Sequence, residues 1–220
     1  MKTTVYIPAR ALKAAVVFAA EKDPRYYLEG VVVQRRRGLV KLVATDGHVL
    51  LVQVLDDVDN AGELDFDAIL PREVGDKLRR PKLNESQLVK LELTLDDEPK
   101  AYRATCNAQK LEGLLVEGVF PVWERLVPMA TSGEAAFYNP ELICRIFQAA
   151  KQFGRQKGSH KSLVDLYQNG EGPAVARFTN NPSALALVMP YREPDSEPWP
   201  PASYFVRTPE TQGAENETAL

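Results

Sequence analysis

The sequence is poor in the residues that carry most enzyme chemistry. Its 220 residues hold two cysteines and two histidines, and Cys106, Cys144, His48 and His160 stand apart from one another. Neither a disulfide framework nor a metal-ligand spacing can be built from them. A phosphate-binding glycine loop and a nucleophile elbow are also missing, so nothing calls for a cofactor. No apolar run reaches the roughly 18 residues of a membrane span, and Met1-Lys2-Thr3-Thr4-Val5 lacks the apolar centre of a signal peptide, so a cytoplasmic protein is expected. There is no excess of positive charge either. Lys and Arg number 27 against 30 Asp and Glu, a net charge of −3, which argues against binding nucleic acid through the whole surface. Local basic clusters remain at Arg35-Arg36-Arg37, at Lys77, Arg79, Arg80 and Lys82, and at Lys151, Arg155, Lys157 and Lys161.

What is present recurs. Strand-like segments run into a proline three times, at Thr3 to Pro8, Phe66 to Pro71 and Ala135 to Pro140. Each proline opens a helical pattern, which places it at the first helical position, where a missing N–H costs nothing. The third helix is the clearest. Asn139 caps it, Leu142, Ile146, Ala149, Ala150 and Phe153 recur at helical spacing, and Gly154 ends it. The first has Leu12, Ala15, Val16 and Ala19 on one face with Arg10 and Lys13 off it, and the second, near Val74 and Leu78, is short. In each unit the side of the helix away from the core carries cations and no carboxylate cluster.

Strand signals follow every helix: Tyr26 to Gln34, Leu39 to Val43 and Val49 to Leu55; Val89 to Leu95, Lys100 to Thr105 and Gly113 to Val116; Leu163 to Tyr167, Ala174 to Thr179 and Ala184 to Met189. One helix followed by about three antiparallel strands, three times over, predicts an α+β protein with helices on one face of antiparallel sheet. The three units fall at about residues 1–60, 61–130 and 131–192. Residues 193–220 are Pro-rich and then polar, a composition that predicts a disordered tail.

The segment Ala44-Thr45-Asp46-Gly47-His48 concentrates the polar chemistry of the chain. It has two readings: a nucleophile, an acid and a base within four residues, or a tight Asp-Gly turn between two apolar strands. No second acid or metal cluster accompanies the pair, and no catalytic residue is assigned.

Five segments, taken in order, resemble the bacterial DNA sliding clamp, the beta subunit of DNA polymerase III. Asp23 to Gly30 is similar to the opening strand of the clamp's middle domain, Ala44 to His48 to its ATDGH(R)L turn, and Leu70-Pro71-Arg72 to its second helix start. Gly118 to Pro128 is similar to the closing segment G-x-F-P-x-x-x-R-(V/L)-(I/L)-P, and Leu187 to Arg192 to the C-terminal strand V-V-M-P-(M/I)-R. The resemblance implies a non-enzymatic processivity factor of DNA replication or repair with the clamp fold. It implies a groove for short linear motifs of polymerases, the clamp loader or repair proteins, lined by Leu28, Thr45, Gly47, His48, Leu50, Pro121, Arg125, Leu126, Leu187, Val188, Met189, Pro190, Tyr191 and Arg192. Position 49 is Val where the family usually has Arg. It also implies a homo-oligomer around duplex DNA, with Arg10, Lys13, Arg72, Lys77, Arg79, Arg80, Arg145 and Lys151 facing the phosphates without regard to sequence. Units one and two match the middle domain and unit three the second half of the last. The missing domain and a half motivates an alternative, a decoy or regulator that binds clamp partners or a host clamp without encircling DNA.

Overall fold

Alternating apolar residues need a sheet with one face covered, and the three amphipathic helices supply that cover. A computed structural model describes residues 2–56, 64–79, 87–96, 99–154 and 162–191. In chain order, β1 (Lys2–Pro8) leads into α1 (Ala9–Val16), followed by β2 (Gly30–Arg36), β3 (Leu39–Thr45) and β4 (Val49–Val54). Then β5 (Phe66–Pro71) leads into α2 (Arg72–Lys77), followed by β6 (Leu88–Thr94), β7 (Ala101–Cys106) and β8 (Gln109–Leu114). Last come α3 (Pro140–Phe153), β9 (Val164–Tyr167), β10 (Ala174–Phe178) and β11 (Asn181–Val188). This is the α+β arrangement expected, helix then antiparallel strands, three times. The hairpin between β2 and β3 turns at Arg37 and Gly38, with φ of 49° and 79°, the left-handed pair that a two-residue turn between right-twisted strands requires.

Two sheets result, one of four strands in the order β1-β6-β7-β8 and one of seven in the order β5-β2-β3-β4-β11-β10-β9. The first strand of each of the first two repeats crosses over to the other repeat. β1 pairs with β6, Ile7 opposite Val89, and β5 pairs with β2, Leu70 opposite Val31. A second seam joins the first and third repeats, where β4 pairs with β11 and Leu50 stands opposite Leu187. Because side chains alternate across a strand, this registry sorts the large sheet into two faces. Val31, Val33, Leu42, Leu51, Leu70 and Ala186 point to the helices in the main core. Val32, Val43, Leu50, Val52, Ile69 and Leu187 point the other way and are covered by Trp123.

The helix layer is tight because its residues are small. Ala9, Ala11, Leu12, Ala14, Ala15 and Val16 of α1 are all buried, since α1 packs on the sheet and on both other helices. At Gly75 a Cβ would lie 2.2 Å from Val16 Cγ2, so only glycine lets α2 come this close.

Four expectations need correction. Only Pro140 is the first residue of its helix; Pro8 and Pro71 are one step earlier, the last residues of β1 and β5, with extended ψ of 125° and 139°. Both strands lie at sheet edges, where a missing N–H is tolerated, and the next amides donate to Gln87 O and Glu29 O instead. Tyr26–Leu28 is a 3-10 turn, not the start of a strand, because the Leu28 and Glu29 amides donate back to Arg25 O and Tyr26 O. The segment from Ala135 to Asn139 forms no strand, only the single bridge Phe137 to Tyr191. The outer side of the second helix does carry carboxylates, Glu73 paired with Lys77 and Asp76 with Arg72. The tail 193–220 lies outside the described residues, as do Arg80, Lys82, Arg155, Lys157, His160, Lys161 and Arg192.

Candidate functional site

The turn at residues 45–48 is built by its own side chains. Thr45 Oγ1 donates to Val49 O at 2.5 Å and accepts from the Gly47 amide at 3.0 Å. Asp46 Oδ1 accepts from the amides of His48 and Val49 at 2.8 and 2.9 Å, the local bonding that makes Asp a turn former. Gly47 has φ of 95°. Its missing Cβ leaves room for the Arg25 guanidinium, 3.0 Å from where that carbon would be, and Arg25 Nη2 donates to Asp46 O at 3.0 Å. Hydrogen bonds from Arg25 in turn pull the Asp23 carboxyl down to about 2. The second carboxylate oxygen of Asp46 accepts from Arg145 Nη1 of α3 at 2.7 Å. Both oxygens of Asp46 thus bond to amides and a guanidinium, which favours the turn over the catalytic pair.

Beside this turn the seam between β4 and β11 continues: the Met189 amide donates to His48 O at 2.9 Å. Of the residues implied for a groove, Leu50 and Leu187 are buried side by side under Trp123, with Val127, Val175 and Leu185 half-buried around them. His48, Gly47, Pro121, Arg125, Leu126, Met189 and Tyr191 are exposed, and Pro190 is half-buried. Leu28 is buried in its 3-10 turn and Thr45 within its own bonds. Val188, 0% exposed, points to the helices and joins the main core. At this end of the seam between two repeats the exposed His48 and Met189 stand next to the buried pair Leu50 and Leu187.

Sequence reasoning missed two features. Trp123 roofs the outer face and carries Lys41 over its ring at 5.1 Å; its rarity, one of two tryptophans, was the available signal. A cleft of about 660 Å³ also lies between β2, β5 and the segment from Leu115 to Glu124, lined among others by Gln34, Arg36, Asp67, Phe120 and Trp123.

The cations expected to face DNA are held within the chain to different degrees. Arg145 is bound to Asp46. Arg72 donates to Ala19 O at 2.9 Å and to Asp76 at 3.2 Å. Lys13 reaches Asp76 O at 3.2 Å. Lys77 meets Glu73 at 2.6 Å, and this bond raises the lysine pKa and lowers that of the glutamate. The guanidinium of Arg10 lies beside Gly154 at the end of α3, and Arg79 and Lys151 are exposed.

Comparison with known proteins places these observations. The family described as DNA polymerase III beta subunit, central domain, matches residues 7–122. The beta sliding clamp of Pseudomonas aeruginosa is 30% identical over 115 residues, spanning 50% of this chain and 28% of that clamp's length. The crystal structure of a Pseudomonas aeruginosa sliding clamp superposes with a TM-score of 0.57 at 19% identity, over 87% of this chain and 67% of that one. The beta subunit from Thermotoga maritima does so with a TM-score of 0.62 at 13% identity, over 87% and 66%. Likeness at this level of identity establishes the sliding-clamp fold. No helix among the described residues is long and apolar enough to cross a membrane. With more than half of its residues inside the match, the chain belongs to the family of the DNA polymerase III beta subunit central domain.

Proposed function

We propose that the chain is a sliding-clamp-like protein of DNA replication or repair. It docks short linear motifs of polymerases, a clamp loader or repair proteins in the groove at the β4–β11 seam and assembles as a homo-oligomer around duplex DNA. The observation that carries this reading is the seam itself. It pairs Leu50 with Leu187 and bonds His48 to Met189, joining two repeats far apart in sequence. An apolar floor with a flexible Met and a few polar anchors suits extended peptides of varied sequence. Residues 1–130 act as one full clamp domain and 131–192 as half of another, so four chains would supply the twelve repeats of a full ring.

The test is a titration of a labelled clamp-binding peptide against the wild type and Met189→Ala. Saturable binding that weakens severalfold in the variant, with unchanged thermal stability, is the expected outcome. A wild type that fails to bind any such peptide refutes the groove.

A second reading, the decoy or regulator that does not encircle DNA, is favoured by one observation: Arg72, Lys77 and Arg145 already face carboxylates of this chain. The two separate on closed circular DNA. A ring is retained until the circle is cut, with steep dependence on salt during loading; a decoy binds peptide and is not retained.

A further inference from the structure

The first two repeats cover each other by exchanging first strands. β1 lies on β6, the strand that follows α2, and β5 lies on β2, the strand that follows α1. The third repeat contains the same two parts. Its first segment ends at Asn139, which caps α3 as Pro8 and Pro71 cap α1 and α2, and its strand after the helix is β9. Counting back from the caps puts Phe137 in the place of Ile69. Their bonding agrees: Ile69 makes an isolated bridge to Val116, just past the end of β8, and Phe137 makes one to Tyr191, just past the end of β11. Ile69 uses its other edge to pair with Val32. Among the described residues no strand pairs with the other edge of Phe137, where the Ala136 amide donates to Gln168 Oε1 at 3.1 Å, nor with the outer edge of β9, which ends the seven-stranded order.

Burial marks the same gap. Leu166 of β9 points to the helix side, as do Val33 of β2 and Leu91 of β6. The latter two are 0% exposed and Leu166 is 39% exposed. On α3, Cys144, Arg145, Gln148 and Gln152 line the cleft shared with α1, which leaves Phe147 on the opposite flank, 51% exposed. That flank corresponds to the side of α1 on which α2 rests. An unpaired strand edge beside exposed aromatic and aliphatic side chains is a site for another chain.

We propose that a second copy of this chain fills the gap, third repeat against third repeat about a twofold axis. The exchange seen between repeats one and two is reciprocal, so one contact with an identical repeat satisfies both open edges of both copies, as an isologous interface must. Each segment from Ala135 to Asn139 pairs antiparallel with β9 of the other copy. Val164 is the first inward residue of β9, as Val31 is of β2, so Phe137 of one copy stands opposite Asp165 of the other. The two Phe147 side chains turn towards the axis. The outcome is a complete clamp-like domain made of two halves from two chains. This deepens the oligomer proposed above and rests on it, but it needs neither DNA nor the peptide groove.

The experiment uses the full chain in a Cys144→Ser background. Light scattering coupled to size-exclusion chromatography is run over a wide concentration range on this protein and on Phe147→Glu. In parallel, Phe137→Cys with Asp165→Cys is oxidised and analysed under denaturing conditions. A dimer or a multiple of it is expected, shifted at least tenfold towards the smaller species by Phe147→Glu with circular dichroism unchanged, and a disulfide-linked dimer from the cysteine pair. A background protein that stays monomeric at every concentration overturns this interface and the ring together. An oligomer that Phe147→Glu leaves intact, with no cross-link from the cysteine pair, overturns this interface alone and leaves a ring closed by another edge. Should Phe147→Glu fail to fold, the cross-link decides.

Discussion

Repeats one and two differ from repeat three in what surrounds the same pattern. Leu91 sits in β6 between β1 and β7 and is 0% exposed; Leu166 sits in β9, the last strand of its sheet, and is 39% exposed. Phe66 to Pro71 and Ala135 to Asn139 are alike in sequence pattern, yet the first is a strand of six residues and the second makes one bridge. Strand formation in this fold is therefore a property of a pair of repeats. A β-branched or aromatic run becomes a strand when another repeat offers it an edge.

Truncating equivalent leucines in the two kinds of repeat should give the largest difference. Leu91→Ala removes a fully buried side chain from the main core and should cost about 2–5 kcal/mol, lost transfer energy plus a cavity. Leu166→Ala should cost only about 1 kcal/mol at concentrations where the chain is monomeric, because water already reaches part of it. Urea unfolding at low protein concentration measures both. Equal losses would show that the third repeat is as well covered as the other two.

The repeated architecture was legible in the sequence because its signals are local. The Asn139 cap and Gly154 stop bound α3, Arg37-Gly38 and Asp46-Gly47 mark hairpins, and apolar alternation marks β6 and β10. What could not be read depends on which repeat meets which. Nothing near Pro8 says that β1 leaves its own repeat to pair with β6, and nothing near Ala135 says that its segment makes only one bridge among the described residues. The site divides the same way. The segments at residues 45–48 and Leu187 to Tyr191 are recognisable as motifs, and β4 pairing with β11 brings them together. Which side of the strand each residue takes follows from register alone, so Val188 fell among the expected groove residues although it belongs to the core. The pairing of Arg145 with Asp46, 99 residues apart, has no trace in either local sequence.

That ion pair fastens the turn at residues 45–48 to the third repeat, with side chains 32% and 12% exposed. Arg145→Ala leaves the half-buried Asp46 without its guanidinium and should cost roughly 1–3 kcal/mol. The loss should localise: hydrogen exchange should quicken at the amides of His48, Val49 and Met189 and stay unchanged in β6 and β7. Because Asp46 keeps its two amide bonds, Arg145→Lys should recover only part of the loss, a point charge replacing a planar donor. Uniform quickening across both sheets would mean that Arg145 supports the fold as a whole rather than this junction.

The smallest effect separates the turn's other anchor from the junction with α3. Asp23 accepts the Arg25 side chain at 2.8 and 3.0 Å and the Arg25 amide at 2.8 Å, and Arg25 holds the turn through Asp46 O. These bonds lower the Asp23 carboxyl from its ordinary 3.8 to about 2 in the folded chain. A carboxyl lowered on folding stabilises above its unfolded value and loses that contribution as the pH falls through its folded one. The contribution of Asp23 is therefore complete above pH 4 and disappears as pH 2 is approached. Thermal midpoints of the wild type and Asp23→Asn, followed over this range, should differ at neutral pH and converge in acid. In the Arg145→Ala background the gap should be unchanged, because Asp23 acts through Arg25 within the first repeat. A gap that does not close in acid would assign the effect of Asp23→Asn to the shape of the loop rather than to its charge.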